Sequence, residues 1–221
     1  MRTLKIKYPT TIQKRQLGDK LFVMETIRDL DEAIDLICDA MTPEEKIDPF
    51  AEDLCPYFGI LWPAAEGLSQ YLFDHSELVK GKKVLELGSG LAYPTLVATH
   101  LGGDVLATDY HPDVEEYVLR NARHSSLTVK YERLNWREPS VHERYDVVMG
   151  SDVLYESKHA REVALGLIRF MKPKGMIILS DPGRAYLQKF VHAMNEEGFK
   201  EQIESVKIGK NEIFVILFKN Y

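Results

Sequence analysis

The sequence predicts an α/β protein built on a doubly wound, mostly parallel sheet of seven strands. From residue 64 onward, short apolar strands alternate with amphipathic helices, as in parallel strands joined by right-handed crossovers. A glycine turn at residues 88–90 joins the first of these strands to the next helix. The alternation stops at the end, where strand-like runs at 199–208 and 212–218 predict an antiparallel hairpin on the sheet.

The remaining elements follow from short apolar runs and from apolar residues at helical spacing. Strands are predicted at 84–87, 105–108, 128–134, 145–150 and 176–180. Helices are predicted at 64–73, 91–101, 112–122, 160–171 and 187–197. Because consecutive parallel strands end at the same edge of such a sheet, the residues after each strand are the candidates for a ligand site.

The first 56 residues predict a small α+β extension, residues 1–56, docked on a main domain of residues 57–221. Strands are expected at 3–8 and 20–26, followed by a helix that begins at Asp29. Glu32, three residues later, completes the pattern of a capping box. The apolar positions of this helix share one face, so we expect them to be buried: Leu30, Ala33, Ile34, Ile37, Cys38 and Met41.

Composition excludes several classes of protein. Of the 221 residues, 45% are hydrophobic, which suffices for a full core, and the net charge of −6 argues against a nucleic-acid binder. Two cysteines, Cys38 and Cys55, supply neither a disulfide framework nor a four-ligand zinc site. No run approaches the roughly 18 apolar residues of a membrane span, and no secretion signal stands out. The expectation is a cytoplasmic protein without a membrane partner.

The glycine turn predicts a site for a cofactor. Gly88 and Gly90 permit tight backbone geometry and close approach of a ligand. Asp109 ends the next strand, 21 residues after Gly88, where its carboxylate can accept both hydroxyls of a ribose. A dinucleotide site favours a third glycine where Tyr93 stands. Glu86 instead suits the ammonium of an amino-acid-like cofactor and would repel a pyrophosphate.

This combination of motif, ribose carboxylate and closing hairpin resembles the class I, seven-β-strand methyltransferases over residues 57–221. The resemblance implies the strand order 3-2-1-4-5-7-6 with the last strand antiparallel. It also implies S-adenosyl-L-methionine (SAM) as cofactor, S-adenosyl-L-homocysteine as product, and no metal. Ala92 replaces the third small glycine common in the turn, and it remains small.

A second motif resembles one group within these methyltransferases. Asp152-Val-Leu-Tyr155 is similar to the Asp/Glu-x-x-Tyr/Phe motif of the protein-lysine methyltransferases. Residues 57–72 resemble the segment before the glycine turn in the same group, which includes the methyltransferases of the electron-transfer flavoprotein β-subunit. The resemblance implies that Asp152 and Tyr155 are catalytic. The implied cofactor-binding set is Trp62, Glu86, Gly88, Ser89, Gly90, Asp109, Tyr110, Asn135, Trp136 and Ser151.

Several roles stay open at this point. Trp136 either stacks on the adenine or packs on its own domain, with Asn135 beside the purine edge. Asp152 either removes a proton from the acceptor or only positions it. Arg184, in the turn after the fifth strand, either binds an acidic group of the substrate or belongs to a structural turn.

The expected reaction is N-methylation of a lysine side chain in a protein. Two alternatives remain: N-methylation of a small amine or nicotinamide-like heterocycle, and a SAM-binding scaffold that does not turn over. A nucleic-acid methyltransferase is not expected, because the chain lacks a basic surface and the Asn/Asp-Pro-Pro-Tyr loop.

Overall fold

The computed structural model describes residues 6–42, 55–137, 143–155 and 159–219. A two-stranded sheet contains β1 (Thr10–Leu17) and β2 (Lys20–Ile27). The seven-stranded sheet contains β3 (Lys83–Leu87), β4 (Asp104–Asp109), β5 (Lys130–Arg133), β6 (Tyr145–Ser151), β7 (Met171–Asp181), β8 (Lys200–Ile208) and β9 (Asn211–Lys219). The helices are α1 (Leu30–Ala40), α2 (Pro63–Asp74), α3 (Tyr93–His100), α4 (Val114–His124), α5 (His159–Phe170) and α6 (Ala185–Glu196).

The large sheet has the predicted order. Its strands run β5-β4-β3-β6-β7-β9-β8, which is 3-2-1-4-5-7-6 when its strands are counted along the chain. The first five strands pair in parallel, and β9 lies antiparallel to both β7 and β8. The predicted fold class and sheet topology are therefore confirmed.

Helices cover both faces of the sheet because the central strands are apolar on both sides. Within β3, Val84 belongs to one buried cluster and Leu85 to the other. The first cluster packs α2, α3 and α4 under the sheet together with the N-terminal elements, and the second packs α5 and α6. This double winding leaves the carboxyl edge of the parallel strands as a crevice.

The first predicted strand was placed wrongly. Residues 3–5 lie outside the described part of the chain, residues 6–9 are not a strand, and β1 starts at Thr10. Its register runs from Thr10 opposite Ile27 to Leu17 opposite Lys20. Most of β1 is exposed and polar, so its residues lack the apolar alternation by which strands are recognised.

Helix α1 begins as predicted, and its buried face is narrower than predicted. The Asp29 carboxylate accepts a hydrogen bond from the Glu32 backbone N–H at 3.0 Å. The Glu32 side chain pairs with Arg28, so its carboxylate forms a surface ion pair. Cys38 is exposed, and the expectation that it belongs to the core was wrong, because the buried stripe follows Ala33 and Ile37. None of the helices in the described ranges is long and apolar enough to cross a membrane.

Candidate active site

A cleft of about 680 Å³ opens at the carboxyl edge of the parallel strands. This volume lies within the range of small-molecule and cofactor sites. Of the predicted site residues, all except Glu86 line it: Trp62, Gly88, Ser89, Gly90, Asp109, Tyr110, Asn135, Trp136, Ser151, Asp152 and Tyr155. The sheet brings them together from the ends of β3, β4, β5 and β6 and from the segment before α2.

The floor of the cleft is the turn between β3 and α3. Gly88 and Gly90 both adopt left-handed backbone conformations, with φ of 65° and 49°. A Cβ at Gly90 would lie 3.0 Å from the Phe58 carbonyl oxygen, and one at Gly88 would lie 2.8 Å from a methyl of Val153. Glycine is therefore required at both positions, for conformation and for space. The Ser89 backbone N–H donates to the Thr108 carbonyl at 2.9 Å, which ties the turn to β4.

Asp109 is hydrogen-bonded to this turn. One carboxylate oxygen accepts from the Gly90 backbone N–H at 3.0 Å, and the other accepts from the His111 backbone N–H at 3.0 Å. Burial raises the pKa of Asp109, and the backbone hydrogen bonds oppose that rise. The carboxylate is thus fixed at the cleft wall, one strand away from the glycines.

Glu86 lies behind the turn and does not reach the cleft surface. It is fully buried, and its Oε2 accepts hydrogen bonds from the Thr95 backbone N–H at 3.0 Å and the Thr95 hydroxyl at 2.5 Å. Its Oε1 has no hydrogen-bond partner among the described residues. Burial raises the pKa of Glu86 to about 8. In this arrangement Glu86 joins the end of β3 to the first turn of α3. A contact between Glu86 and the cofactor stays a prediction.

Asp152 stands where β6 ends. Its backbone is left-handed, with φ of 61°, a conformation that aspartate tolerates better than most residues. Its backbone N–H donates to the Ser180 carbonyl of β7 at 3.1 Å. Its carboxylate forms an ion pair with the Arg184 guanidinium, and Arg184 also lines the cleft. Tyr155 lies further along the same loop and is 44% exposed.

Known proteins match both the fold and the site region. The profile of a family described as "Lysine methyltransferase" matches residues 52–204 of this chain. The chain belongs to the lysine methyltransferase family. Its relatives include the electron transfer flavoprotein beta subunit lysine methyltransferase of Rattus norvegicus, 30% identical over 58% of this chain and 51% of that protein. A histone-arginine methyltransferase of Xenopus laevis is 32% identical over 53% of each chain.

Among solved structures, the magnesium protoporphyrin IX methyltransferase of Synechocystis PCC 6803 with bound SAM superposes with a TM-score of 0.60. It is 14% identical, over 82% of this chain and 99% of that one, so the likeness concerns the fold. The chain spans about half the length of the curated relatives named above. Both the family and the class I methyltransferase fold thus agree with the resemblance seen in the sequence.

Within this member of the lysine methyltransferase family, Trp136 lies at the base of the cleft. Its ring is close to the glycine turn, 3.4 Å from the position of a Cβ on Gly88, and it packs against the α5 side of the core. Asn135 accepts a hydrogen bond from the Arg137 backbone N–H at 3.0 Å through its side-chain oxygen. The Trp62 indole N–H donates to the Tyr57 carbonyl at 2.9 Å, within the segment that precedes α2.

Sequence reasoning missed two groups that the cleft includes. The rings of Phe58 and His111 pack together at an interplanar angle of 40°, with centroids 4.4 Å apart, and both residues line the cleft. Phe58 lies within the family-like segment 57–72, which does not single it out, and His111 precedes the helix predicted at 112–122 with no local signal of a site. Arg184 was noticed, but nothing in its local sequence indicates that it meets Asp152. In the described ranges, no cluster of histidine, cysteine, aspartate and glutamate has the arrangement of a metal site.

Proposed function

We propose that this chain is a SAM-dependent N-methyltransferase whose acceptor is a lysine side chain of a protein. One observation carries the proposal. Asp152 and Tyr155, the pair of the lysine methyltransferase motif, open onto the same cleft as the left-handed glycine turn and Asp109. A donor held on the turn and an amine held by Asp152 would therefore meet within one cavity.

The residues present fit SAM. Gly88 and Gly90 carry no side chain and both line the cleft, so a ligand can approach the backbone of the turn closely. Asp109 offers carboxylate oxygens for the ribose hydroxyls, and Trp136 offers an aromatic ring. When bound, SAM supplies a methyl group already activated by its sulfonium. The chain therefore needs no nucleophile of its own, and its task is orientation.

The acceptor side of the cleft suits an amine. A lysine amine has a pKa near 10.4, so it is mostly protonated at neutral pH and must lose a proton before its lone pair can attack. Asp152 accepts a hydrogen bond from the nitrogen and directs the lone pair toward the floor of the cleft. Arg184 offsets the charge of Asp152, so the amine is not held in its protonated form, and water takes the proton.

The mouth of the cleft favours a protein over a small molecule. Tyr57 and Tyr155 line the cleft and leave 42% and 44% of their surface exposed. Exposed aromatic side chains at a cavity rim are typical of surfaces that receive another protein. The relative that methylates the electron transfer flavoprotein beta subunit makes that subunit the first acceptor to test.

The test is transfer of a radiolabelled methyl group. The purified chain is incubated with SAM carrying a tritiated methyl group, once with unmethylated electron transfer flavoprotein and once with a cell lysate. Proteins are then separated from small molecules and hydrolysed to amino acids. We expect the label in protein, as methylated lysine. Label in small molecules would favour the small-amine alternative, label in methylated arginine would move the acceptor to arginine, and absence of label despite SAM binding would favour a scaffold.

Two variants serve as controls for this assay. Asp152→Asn should lower the rate of labelling about 100-fold while leaving SAM binding in place. Asp104→Asn removes a carboxylate that is 51% exposed at the opposite end of β4, so it should label as the unmodified chain does. Loss of label in both variants would show that removing any carboxylate lowers methyl transfer, and would contradict a specific role for Asp152.

A further inference from the structure

The N-terminal extension packs against the segment that forms one wall of the cleft. Gly59 ends a 3₁₀ turn, Pro56–Gly59, and faces Ile27 at the end of β2. A Cβ on Gly59 would overlap the Cδ1 and Cγ1 atoms of Ile27 and lie 3.0 Å from its Cβ. Ile27 is 2% exposed and cannot swing into solvent. The Ile27 side chain therefore occupies the space that a side chain at position 59 would need.

A second contact reaches the same wall. The Tyr8 ring meets the Phe58 ring edge-on at a centroid distance of 6.3 Å. The Phe58 ring in turn packs against the His111 ring at a centroid distance of 4.4 Å, and the Phe58 carbonyl oxygen limits the space above Gly90. Burial and the nearby charge of Asp113, two residues from His111, raise the pKa of Tyr8. Tyr8 thus contacts the wall and lies near the loop after β4.

A third contact reaches the glycine turn itself. The Asn121 side chain of α4 is fully buried between β2 and the turn. Its oxygen accepts from the Glu25 backbone N–H at 2.7 Å, and its NH₂ group donates to the Leu91 carbonyl at 3.2 Å. Leu91 directly follows Gly90. One side chain therefore links the backbone of β2 to the backbone of the predicted cofactor turn.

We propose that the N-terminal extension is a functional part of the cofactor site, with Ile27 and Tyr8 as positioning residues that set the width of the cleft for SAM. None of residues 6–42, the part of the extension that contains Tyr8 and Ile27, lines the cleft, so their effect passes through the segment 55–62 and the glycine turn. The inference rests on the proposed function, because it assumes that SAM occupies this cleft. It gives the extension a role in donor binding, which the sequence alone left unassigned.

The decisive variant is Gly59→Ala in the full chain. The new methyl group must push the segment 55–62 away from Ile27. This displacement changes the wall that the segment forms in the cleft. Calorimetric titration with SAM, and separately with S-adenosylhomocysteine, should show binding weakened by about tenfold or more. Adding Ile27→Ala removes the overlapping atoms, so the double variant should bind SAM within about threefold of Ile27→Ala alone.

Gly67→Ala is the matched control. A Cβ on Gly67, in α2, would lie 2.6 Å from Ile213 of β9, which is also an overlap with an isoleucine side chain but one outside the extension. We expect it to lower the melting temperature without weakening SAM binding. Should Gly59→Ala fail to fold, Tyr8→Leu removes the ring contact with Phe58 and keeps an apolar side chain. It should also weaken SAM binding.

The outcomes separate the two proposals. Binding of SAM to Gly59→Ala as tightly as to the unmodified chain would overturn the inference and leave the proposed function standing. The same holds if Gly67→Ala weakens binding equally, or if Ile27→Ala fails to rescue. No heat with the unmodified chain, for SAM or for S-adenosylhomocysteine, would overturn the proposed function and the inference with it.

Discussion

The guanidinium of Arg184 bridges two carboxylates, one at the end of β6 and one at the end of β7. It pairs with Asp152 at the cleft surface, while its Nε lies 3.2 Å from Oδ2 of the fully buried Asp181. Asp181 is fixed in turn, because its Oδ1 accepts from the backbone N–H groups of Gly183 and Arg184 at 2.8 Å each. A rigid turn thus holds one positive charge against the residue proposed to meet the acceptor.

Replacing Arg184 by Gln should therefore slow methyl transfer at neutral pH more than it affects SAM binding. Without the guanidinium, Asp152 loses its partner and its unbalanced charge holds the acceptor amine in the protonated form. Loss of a charged contact of about 1–3 kcal/mol corresponds to roughly 5- to 160-fold in rate. Single-turnover transfer to an acceptor protein and calorimetry with SAM measure the two effects.

Two further arginine variants make this prediction specific. Arg184→Lys keeps the positive charge and should recover part of the rate. Arg161→Gln removes an arginine whose side chain is 65% exposed and pairs with Glu196, the last residue of α6, so this variant should behave as the unmodified chain. An Arg184→Gln rate equal to that of Arg161→Gln would rule out the proposed role.

Asp152→Asn tests the carboxylate with the least change in structure. Asparagine has the same shape as aspartate and tolerates the left-handed backbone found at this residue, whereas alanine would add strain. We expect the rate of methyl transfer to fall about 100-fold, as for a misplaced reacting group, with SAM affinity nearly unchanged. An equal fall in SAM affinity would place Asp152 on the cofactor side of the cleft.

Gly90→Ala should weaken SAM binding. The backbone is left-handed there, which costs a non-glycine residue about 1–2 kcal/mol, and the new methyl would press on the Phe58 carbonyl at 3.0 Å. Ala92 provides the comparison, because it already adopts φ of 62° with a side chain. Ala92→Gly should leave SAM affinity unchanged and raise thermal stability, measured by calorimetric melting.

The sheet and the floor of the cleft could be predicted because their signals are local. Strand β3, the glycines after it and Asp109 at the end of β4 all lie within a short stretch of sequence and obey rules of strand and turn. The parallel order then follows from the alternation of strand and helix. The site residues at strand ends were therefore found together without knowledge of any long-range contact.

What could not be predicted depends on contacts between distant parts of the chain. Arg184 meets Asp152 only because Ser151 and Ser180 are register partners on neighbouring strands. Cys38 has the helical spacing of a core residue, but the docking angle of α1 leaves it in solvent. Asn121 hydrogen-bonds to the backbone of β2 and so connects the extension to the glycine turn. A polar residue in a helix does not by itself predict such a contact. These contacts depend on how distant elements pack together, which the local sequence around each residue does not determine.

Glu86 should make the stability of the chain depend on pH. Burial raises its pKa to about 8, above the ordinary value of 4.5, so the folded state keeps the proton where the unfolded state has lost it. The free energy of unfolding should therefore fall as pH rises from about 4.5 to about 8. Glu86→Gln cannot ionise and should show a flatter profile in urea unfolding across that range, whereas the surface variant Glu212→Gln should keep the full slope.

Binding of SAM should release a proton through the same residue. At pH 7 the folded chain holds Glu86 mostly protonated, because its pKa is about 8. The proposed donor carries a positive sulfonium and an ammonium group, and a nearby positive charge favours the ionised carboxylate. Calorimetric titration at pH 7 in two buffers of different ionisation enthalpy should therefore report proton release for the unmodified chain and none for Glu86→Gln. Equal release by both chains would assign the proton to another group and leave Glu86 only its hydrogen bonds to Thr95.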